Sequence, residues 1–175
     1  MARIVGYIAA SLDGFIADPQ ESLDWLTSAE ADLGEHHYDL FIQRIRTVVM
    51  GRTTYDWMVK SGMPWPYAAQ RSIVVTSRPI TDAPADIQTR TDVDALVTEL
   101  RALGDGDVWM LGGGQLQMAF LERGAVDELE VFIASAMLGG GYPLFPPTGF
   151  RATPTLLSAK SLGPGMARLH YRWAT

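Results

Sequence analysis

The sequence has no cysteine and little histidine, and both shortages limit its chemistry. Without cysteine among its 175 residues, the chain can form no disulfide, no thiolate metal site and no cysteine nucleophile. The three histidines are His36, His37 and His170, and their spacing is not that of metal ligands. We therefore predict no metal cofactor and no thiol chemistry.

Positive charge and long apolar runs are also scarce. Lys and Arg number 14 against 20 Asp and Glu, a net charge of −6. Nucleic-acid-binding proteins cluster cationic side chains at the phosphates, so this balance argues against a nucleic-acid partner. No apolar run approaches the ~20 residues of a membrane span, and the first segment, which Asp13 interrupts, does not resemble a signal peptide. We expect a cytoplasmic protein whose partner is a small molecule.

Apolar runs typical of strands alternate with helix-like segments along most of the chain. The runs at 3–11, 47–51, 71–79 and 107–111 are rich in Val, Ile and other apolar residues, as buried strands are. Two strands around a Gly-Pro-Gly turn close the sequence as a hairpin. This order favours an α/β sandwich with a mainly parallel sheet and an antiparallel edge. No linker or change in composition divides residues 1–175, so we predict one domain.

Two local patterns give more detailed predictions. Thr27, with Glu30 three residues later, is typical of a capping box, which predicts a helix from there to about Arg46. The last strand alternates between apolar and basic side chains, so we expect the apolar set to face inward and the basic set outward. The two sets are Ala167, Leu169, Tyr171 and Trp173 against Arg168, His170 and Arg172.

The tetrapeptide Leu-Gly-Gly-Gly occurs twice, at 111–114 and 138–141. The first copy follows a predicted strand and precedes a predicted helix whose first turn has no acidic residue. Such a helix start offers free N–H groups and the positive end of the helix dipole to a phosphate; without a ligand it is only a tight turn. The second copy runs into Y-P-L-F-P-P, where prolines prevent a helix. There we predict a bulge or a close crossing of two backbones.

Phosphate-binding residue types follow two more predicted strands. Gly51 ends one strand, and the Arg-Thr-Thr of residues 52–54 opens a helix. Another strand ends in the Thr-Ser-Arg of residues 76–78. Arginine holds phosphate through charge-assisted hydrogen bonds, although each segment alone is also compatible with ordinary capping. Together with the first glycine triplet, these strand ends fit an extended ligand such as a dinucleotide at the carboxyl edge of the sheet.

The motifs resemble those of a known superfamily over nearly the whole chain. V-V-M-G-R-T-T-Y at 48–55 and V-W-M-L-G-G-G-Q-L at 108–116 are similar to the segments that embrace NADPH in the dihydrofolate reductase fold. I-A-A-S-L-D-G-F-I-A at 8–17, the L-x-R-G-A-V-D-E-L-x-V-F-I-A pattern at 121–134 and L-G-G-G-Y-P-L-F at 138–145 resemble the riboflavin-biosynthesis reductase (RibD C-terminal) branch. The resemblance implies a three-layer α/β/α sandwich with a mixed, mainly parallel sheet and a C-terminal antiparallel β-hairpin.

The same resemblance implies NADPH as cofactor and assigns residues to it. Arg52 takes the position of the arginine at the 2′-phosphate, and the threonines after it take pyrophosphate-binding positions. The implied cofactor-binding set is Ala10, Gly51, Arg52, Thr53, Thr54, Thr76, Ser77, Arg78, Leu111, Gly112, Gly113, Gly114, Gln115 and Leu116.

Two carboxylates are candidate catalytic residues. Glu35 takes the position of the helix carboxylate that holds the pterin, where it could orient a substrate or relay a proton; otherwise it is a solvated surface residue. Asp13 would lie at the mouth of the pocket, or serve only as the turn former of S-L-D-G. Gln70 takes the position of the arginine that binds the folate tail, and Arg71 is adjacent to it.

The resemblance implies hydride transfer from NADPH to a C=N or C=O group of a small heterocyclic substrate, of the pteridine or aminopyrimidine type. Three alternatives stay open: a true dihydrofolate reductase, a non-catalytic dinucleotide- or ligand-binding module that kept the cofactor cradle, and an interaction protein that uses the sheet edge. The resemblance also implies a homodimer, with contacts from the last strand and residues 139–147.

Overall fold

The computed structural model describes residues 1–173. The strands are β1 (Ile4–Ser11), β2 (Phe15–Ala17), β3 (Ile45–Gly51), β4 (Arg71–Val75), β5 (Ile87–Arg90), β6 (Asp107–Gly112), β7 (Glu128–Ala134), β8 (Tyr142–Pro143), β9 (Thr155–Ser161) and β10 (Met166–Arg172). The helices are α1 (Asp24–Thr27), α2 (Tyr38–Ile42), α3 (Arg52–Lys60), α4 (Val93–Arg101) and α5 (Gly114–Glu122), with a 3-10 turn at Gly34–His36. Over this part of the chain, no helix combines the length and apolar character needed to cross a membrane.

Eight strands form one sheet in the order β5-β4-β3-β6-β1-β7-β10-β9. The six strands from β5 to β7 are parallel to their neighbours. β10 pairs antiparallel with both β7 and β9, and a tight hairpin joins it to β9. The predicted mixed, mainly parallel sheet with a C-terminal antiparallel hairpin is therefore confirmed.

Helices cover both faces of the sheet. On one face, Leu96 and Leu100 of α4 and Phe120 of α5 are fully buried in a cluster with sheet residues. On the other, Phe41 of α2 and Tyr55 of α3 pack in a second cluster. Burying one such side chain contributes roughly 1.5–3 kcal/mol. The predicted three-layer α/β/α sandwich is confirmed, and its layers leave the carboxyl ends of β3 and β6 at one edge.

The single helix predicted from Thr27 to about Arg46 is wrong. In the structure α1 ends at Thr27, and a 3-10 turn and the short α2 follow before β3 begins at Ile45. A continuous helix is interrupted because Gly34 has a φ of +45° and the Asp32 carboxylate accepts from its N–H at 3.0 Å. Backbone groups of this segment also bond to the β9–β10 hairpin, for example Gly165 N–H to the Glu30 carbonyl at 2.9 Å. Contacts between distant parts of the chain override the local helix signal.

The predicted orientation of the last strand is wrong for Arg168. This side chain is only 6% exposed, and its Nε donates to Glu130 Oε2 of β7 at 2.7 Å. Leu169 and Tyr171, expected to face inward, are half-buried. An acidic partner on β7 lets Arg168 be buried, while Arg172, of the same basic set, is 59% exposed as predicted.

Candidate functional site

The starts of two helices meet at the carboxyl edge of the sheet. α3 begins immediately after β3, and α5 begins two residues after the end of β6. The two strands are neighbours, with Met50 opposite Gly112. A Cβ atom at Gly51 would lie 3.9 Å from the Gly112 carbonyl oxygen and 4.0 Å from the Gly113 nitrogen. The predicted meeting of these two strand ends is therefore found in the structure.

Neither of these two helices has its first turn satisfied by a side chain. The residues that precede them, Gly51 and Gly113, provide no capping side chain, and neither first turn contains an acidic residue. By contrast, Asp92 caps α4 and His37 caps α2. The first-turn N–H groups of a helix have no partner within the helix, so two neighbouring helix starts without a capping side chain form an anion-binding arrangement.

The first glycine triplet is required by its surroundings. Gly112 has a φ of +115°, which side chains other than that of glycine rarely adopt. A Cβ atom at Gly114 would collide with the Pro143 carbonyl oxygen and lie 2.8 Å from Pro146 Cδ. The segment that follows the second triplet therefore packs directly against the backbone at the start of α5, and only glycine fits there.

The second glycine triplet is a close crossing of two backbones, as predicted. Gly141 has a φ of +129°, and a Cβ atom there would collide with the Ala17 carbonyl oxygen. Next to it, β8 pairs with β2. Beyond the crossing, Leu144 N–H donates to the Gly14 carbonyl at 2.8 Å. The second triplet therefore joins the N-terminal loop to the start of α5.

Gln117 completes this junction and is a residue that sequence reasoning missed. Its side chain is fully buried, and its Nε2 donates to the Leu144 carbonyl at 3.1 Å. Its Oε1 has no hydrogen-bond partner among the described residues. The signal for it in the sequence was a glutamine between two apolar residues, Leu116 and Met118, in the mainly apolar α5.

The arginine of the α3 start is held by several partners. Arg52 Nε donates to Asp56 Oδ1 at 2.6 Å. Its Nη1 donates to the carbonyls of Arg78 and Pro79, at 3.2 and 3.1 Å. Arg52 thus ties α3 to the turn after β4, and the third predicted strand end joins the other two. Asp56, one helical turn after Arg52, was a readable signal that sequence reasoning did not use.

The turn after β4 is shaped by a hydroxyl. Thr76 Oγ1 accepts from the Arg78 N–H at 3.1 Å, as in turns built by threonine. Ser77 is exposed, and the Arg78 side chain is 67% exposed. A cationic side chain therefore projects into solvent beside the paired helix starts.

The remaining predicted cofactor residues fall into two groups. Thr53 and Gln115 are exposed near the helix starts, and Thr54 Oγ1 lies 3.5 Å from the Cβ position of Gly113. Ala10 and Leu116 are instead buried in core clusters, so neither presents its side chain to a ligand. Leu111 is half-buried against the cluster of Phe41 and Tyr55, on the other face of the sheet from Leu116.

Glu35 is not brought to the paired helix starts. It lies in the 3-10 turn, its side chain is 71% exposed, and Lys160 Nζ donates to it at 2.6 Å. This hydrogen bond lowers the pKa of the Glu35 carboxyl. Lys160 belongs to the edge strand β9, which three strands separate from β6. A catalytic role for Glu35 stays a prediction without geometric support from the described contacts.

Asp13 has the turn-forming role considered for it. Its carboxylate accepts from Ser11 Oγ at 2.7 Å and from the N–H groups of Leu138 and Gly139 at 3.1 and 2.7 Å. These hydrogen bonds, that from Ser11 above all, lower its pKa to about 2. The carboxylate fixes the second glycine triplet to the N-terminal loop, and its catalytic role also stays a prediction.

Aromatic side chains fill the sheet face beneath α2. Tyr7 of β1 stacks on Phe41 at 4.3 Å between ring centroids, and Trp109 of β6 meets Phe41 edge-on at 5.1 Å. The Tyr7 hydroxyl donates to the His36 carbonyl at 2.8 Å, and burial raises its pKa to about 12. This phenol stays protonated at physiological pH and serves to anchor the 3-10 turn.

The sheet order, the two helix layers and the meeting helix starts define a dihydrofolate reductase-like α/β protein. The chain belongs more narrowly to the RibD C-terminal domain family, whose model matches residues 3–168. It is 31% identical over 170 residues to the uncharacterized protein YwjB of Bacillus subtilis (strain 168), with 97% of each chain covered.

Relatives that carry a riboflavin name are more distant. The chain is 28% identical over 171 residues to riboflavin biosynthesis protein RibD of Corynebacterium ammoniagenes, covering 91% of this chain and 50% of that protein. The crystal structure named "Putative riboflavin biosynthesis protein" from Shewanella sp. PV-4 superposes with a TM-score of 0.85 at 26% identity, covering all of both chains. The dihydrofolate reductase-like fold is thus shared with solved relatives over the full length.

Proposed function

We propose that this protein is an NADPH-dependent reductase that transfers a hydride to a C=N or C=O group of a small heterocyclic substrate of the pteridine or aminopyrimidine type. The observation that carries the proposal is the pair of uncapped helix starts, which meet beside Arg52 and Arg78. Membership in the RibD C-terminal domain family supports a reductase chemistry for this arrangement.

The residues at the site fit a dinucleotide phosphate cofactor. The N–H groups at the starts of α3 and α5 would hold the pyrophosphate, since no side chain satisfies them. Glycine at 113 would let a phosphate approach the backbone closely, whereas glycine at 114 makes room for Pro143 and Pro146 of the same chain. Arg78, exposed beside these helix starts, would face a 2′-phosphate. The cationic groups and free N–H groups lie on one edge, which suits an extended anion.

The chain's own part in the reaction is to bind and to orient. Bound NADPH supplies the hydride. The junction formed by Gly141, Leu144 and Gln117 fixes the start of α5, which would hold the cofactor phosphates at a defined place relative to β1. No nucleophile is required for this chemistry, in agreement with a sequence without cysteine.

Dihydrofolate reduction has less support than the proposed substrate class. Arg71, the cation nearest in sequence to the folate-tail position, donates to Glu99 and Gln88. Glu99 belongs to α4, which covers the sheet face opposite to that of α2 and α3. The guanidinium is therefore neutralised on the other side of the sheet from the aromatic face.

The proposal is tested by measuring NADPH and NADH affinity through quenching of tryptophan fluorescence. We expect the wild type to bind NADPH more tightly, and Arg78→Ala to lose roughly tenfold in NADPH affinity while NADH binding is kept, since it removes one charge-assisted contact. Arg123→Ala, at the opposite end of α5, is the matched control and should bind like the wild type.

Turnover then separates the alternatives. We expect the protein to oxidise NADPH when at least one compound from a panel of pteridine and aminopyrimidine imines or ketones is added. Binding without oxidation of any panel member would favour the non-catalytic module, and turnover of dihydrofolate above all others would favour a dihydrofolate reductase. If wild-type protein binds neither nucleotide, the proposed function is wrong. The homodimer stays a separate prediction, which the molar mass in solution measures.

A further inference from the structure

The carboxylate of Asp56 lies between two guanidinium groups at the predicted 2′-phosphate position. Its Oδ1 accepts from Arg52 Nε at 2.6 Å, and its Oδ2 lies 3.6 Å from Arg78 Nη2. Both oxygens therefore face a cation. The Asp56 side chain is 45% exposed, so an incoming anion can reach the same cations from solvent.

The two arginines are not equally available. Arg52 is only 22% exposed, and it donates to two carbonyls of the turn after β4 as well as to Asp56. Arg78 is 67% exposed, and its distance of 3.6 Å from Asp56 is too long for a strong hydrogen bond. Arg52 is thus a fixed part of the turn, while Arg78 is the cation that can exchange partners.

We propose that Asp56 sets the choice between dinucleotides with and without a 2′-phosphate. Its carboxylate competes with the phosphate for Arg78 and repels it at short range. A cofactor without that phosphate meets no such repulsion, and its ribose 2′-hydroxyl can donate to the carboxylate. Asp56 therefore lowers the ratio of NADPH affinity to NADH affinity that the arginines would otherwise produce. This inference rests on the proposed function.

Removal of the charge with retention of shape tests the inference. Asp56→Asn keeps an oxygen for Arg52 Nε, so the turn should persist, which an unchanged melting temperature verifies. We expect NADPH to bind about five- to tenfold more tightly to this variant, with NADH binding unchanged or weaker. The gain should shrink at high salt because the site is partly exposed.

Two further variants isolate the cause. Asp94→Asn also removes an exposed helix carboxylate that accepts from an arginine, Arg123, and should leave both affinities unchanged. Asp56→Asn combined with Arg78→Ala should lose the gain, because the freed cation is then missing. Adenosine 2′,5′-bisphosphate and 5′-AMP serve as probes with and without the 2′-phosphate. Their affinity ratio should change in Asp56→Asn as the NADPH-to-NADH affinity ratio does.

The results distinguish this inference from the proposed function. If wild-type protein binds neither dinucleotide, both are overturned. If it binds NADPH but Asp56→Asn leaves the NADPH-to-NADH affinity ratio within twofold of the wild type, the role of Asp56 is overturned and the reductase proposal stands. A gain that persists in the double variant would also overturn the inference, since Arg78 would not carry it.

Discussion

Glu130 and Arg168 form a buried ion pair, and we expect the loss of one of its charges to destabilise the fold strongly. The two side chains are 11% and 6% exposed. Besides Glu130, Arg168 has the neutral Ser158 hydroxyl as a partner at 3.0 Å. Glu130→Gln would therefore leave a buried guanidinium without its counter-charge. Breaking a buried pair from one side typically costs about 3–5 kcal/mol, and the retained amide oxygen favours the lower end.

Unfolding by urea and by heat measures this cost. A loss of about 3 kcal/mol corresponds to roughly 6–12 °C in melting temperature for a domain of this size. The control is Asp94→Asn, which breaks a pair with Arg123 in which the carboxylate is 75% exposed. Exposed pairs are worth about 0–1 kcal/mol, so this variant should melt within a few degrees of the wild type.

The double variant Glu130→Met with Arg168→Met tests the cause. It removes both charges of the buried pair, so we expect most of the lost stability to return. The reasoning is refuted if Glu130→Gln unfolds within 1 kcal/mol of the wild type, or if it costs no more than Asp94→Asn. Either result would mean that water or a rearranged neighbour solvates the guanidinium of Arg168.

Two other predictions concern the glycine start of α5 and the pH dependence of stability. Gly114→Ala should lower the free energy of unfolding in urea by about 1–3 kcal/mol and abolish dinucleotide binding, because the new Cβ meets the Pro143 carbonyl. Gly104→Ala is the control: its Cβ would have no atom within 4 Å, so neither stability nor binding should change. Hydrogen bonds from Arg90 above all lower the pKa of Glu99 from 4.5 to about 2, so this carboxylate stabilises the fold above pH 4.5 and ceases to do so as the pH falls through 2. Glu99→Gln should therefore be less stable than the wild type at pH 7, with a deficit in urea midpoint that disappears toward pH 2; a constant deficit would contradict the assignment.

Local signals predicted the elements that carry the candidate site. Around Gly51 and Gly113, a strand, a glycine and a helix start follow one another directly in the sequence. Because carboxyl ends of parallel strands meet at one edge, the convergence of three strand ends also followed from the sequence.

Contacts between distant residues were beyond such reasoning. The break at Gly34 depends on bonds to the β9–β10 hairpin, and the burial of Arg168 depends on Glu130, 38 residues away. The tie from Arg52 to the Arg78 carbonyl depends on the path of the turn after β4. In each case the neighbour that decides the outcome is not adjacent in sequence.

The junction at the second glycine triplet has a consequence for how the protein is made. Asp13 bonds to Leu138 across 125 residues, and Gln117 bonds to the Leu144 carbonyl. During synthesis from the N-terminus, β1, β3, β6 and the glycines 112–114 are all made before this segment. The start of α5 thus receives its cover late, after a long loop has closed. Nascent chains that end between residues 116 and 147 would hold every predicted phosphate-binding residue, and yet would not have the assembled site.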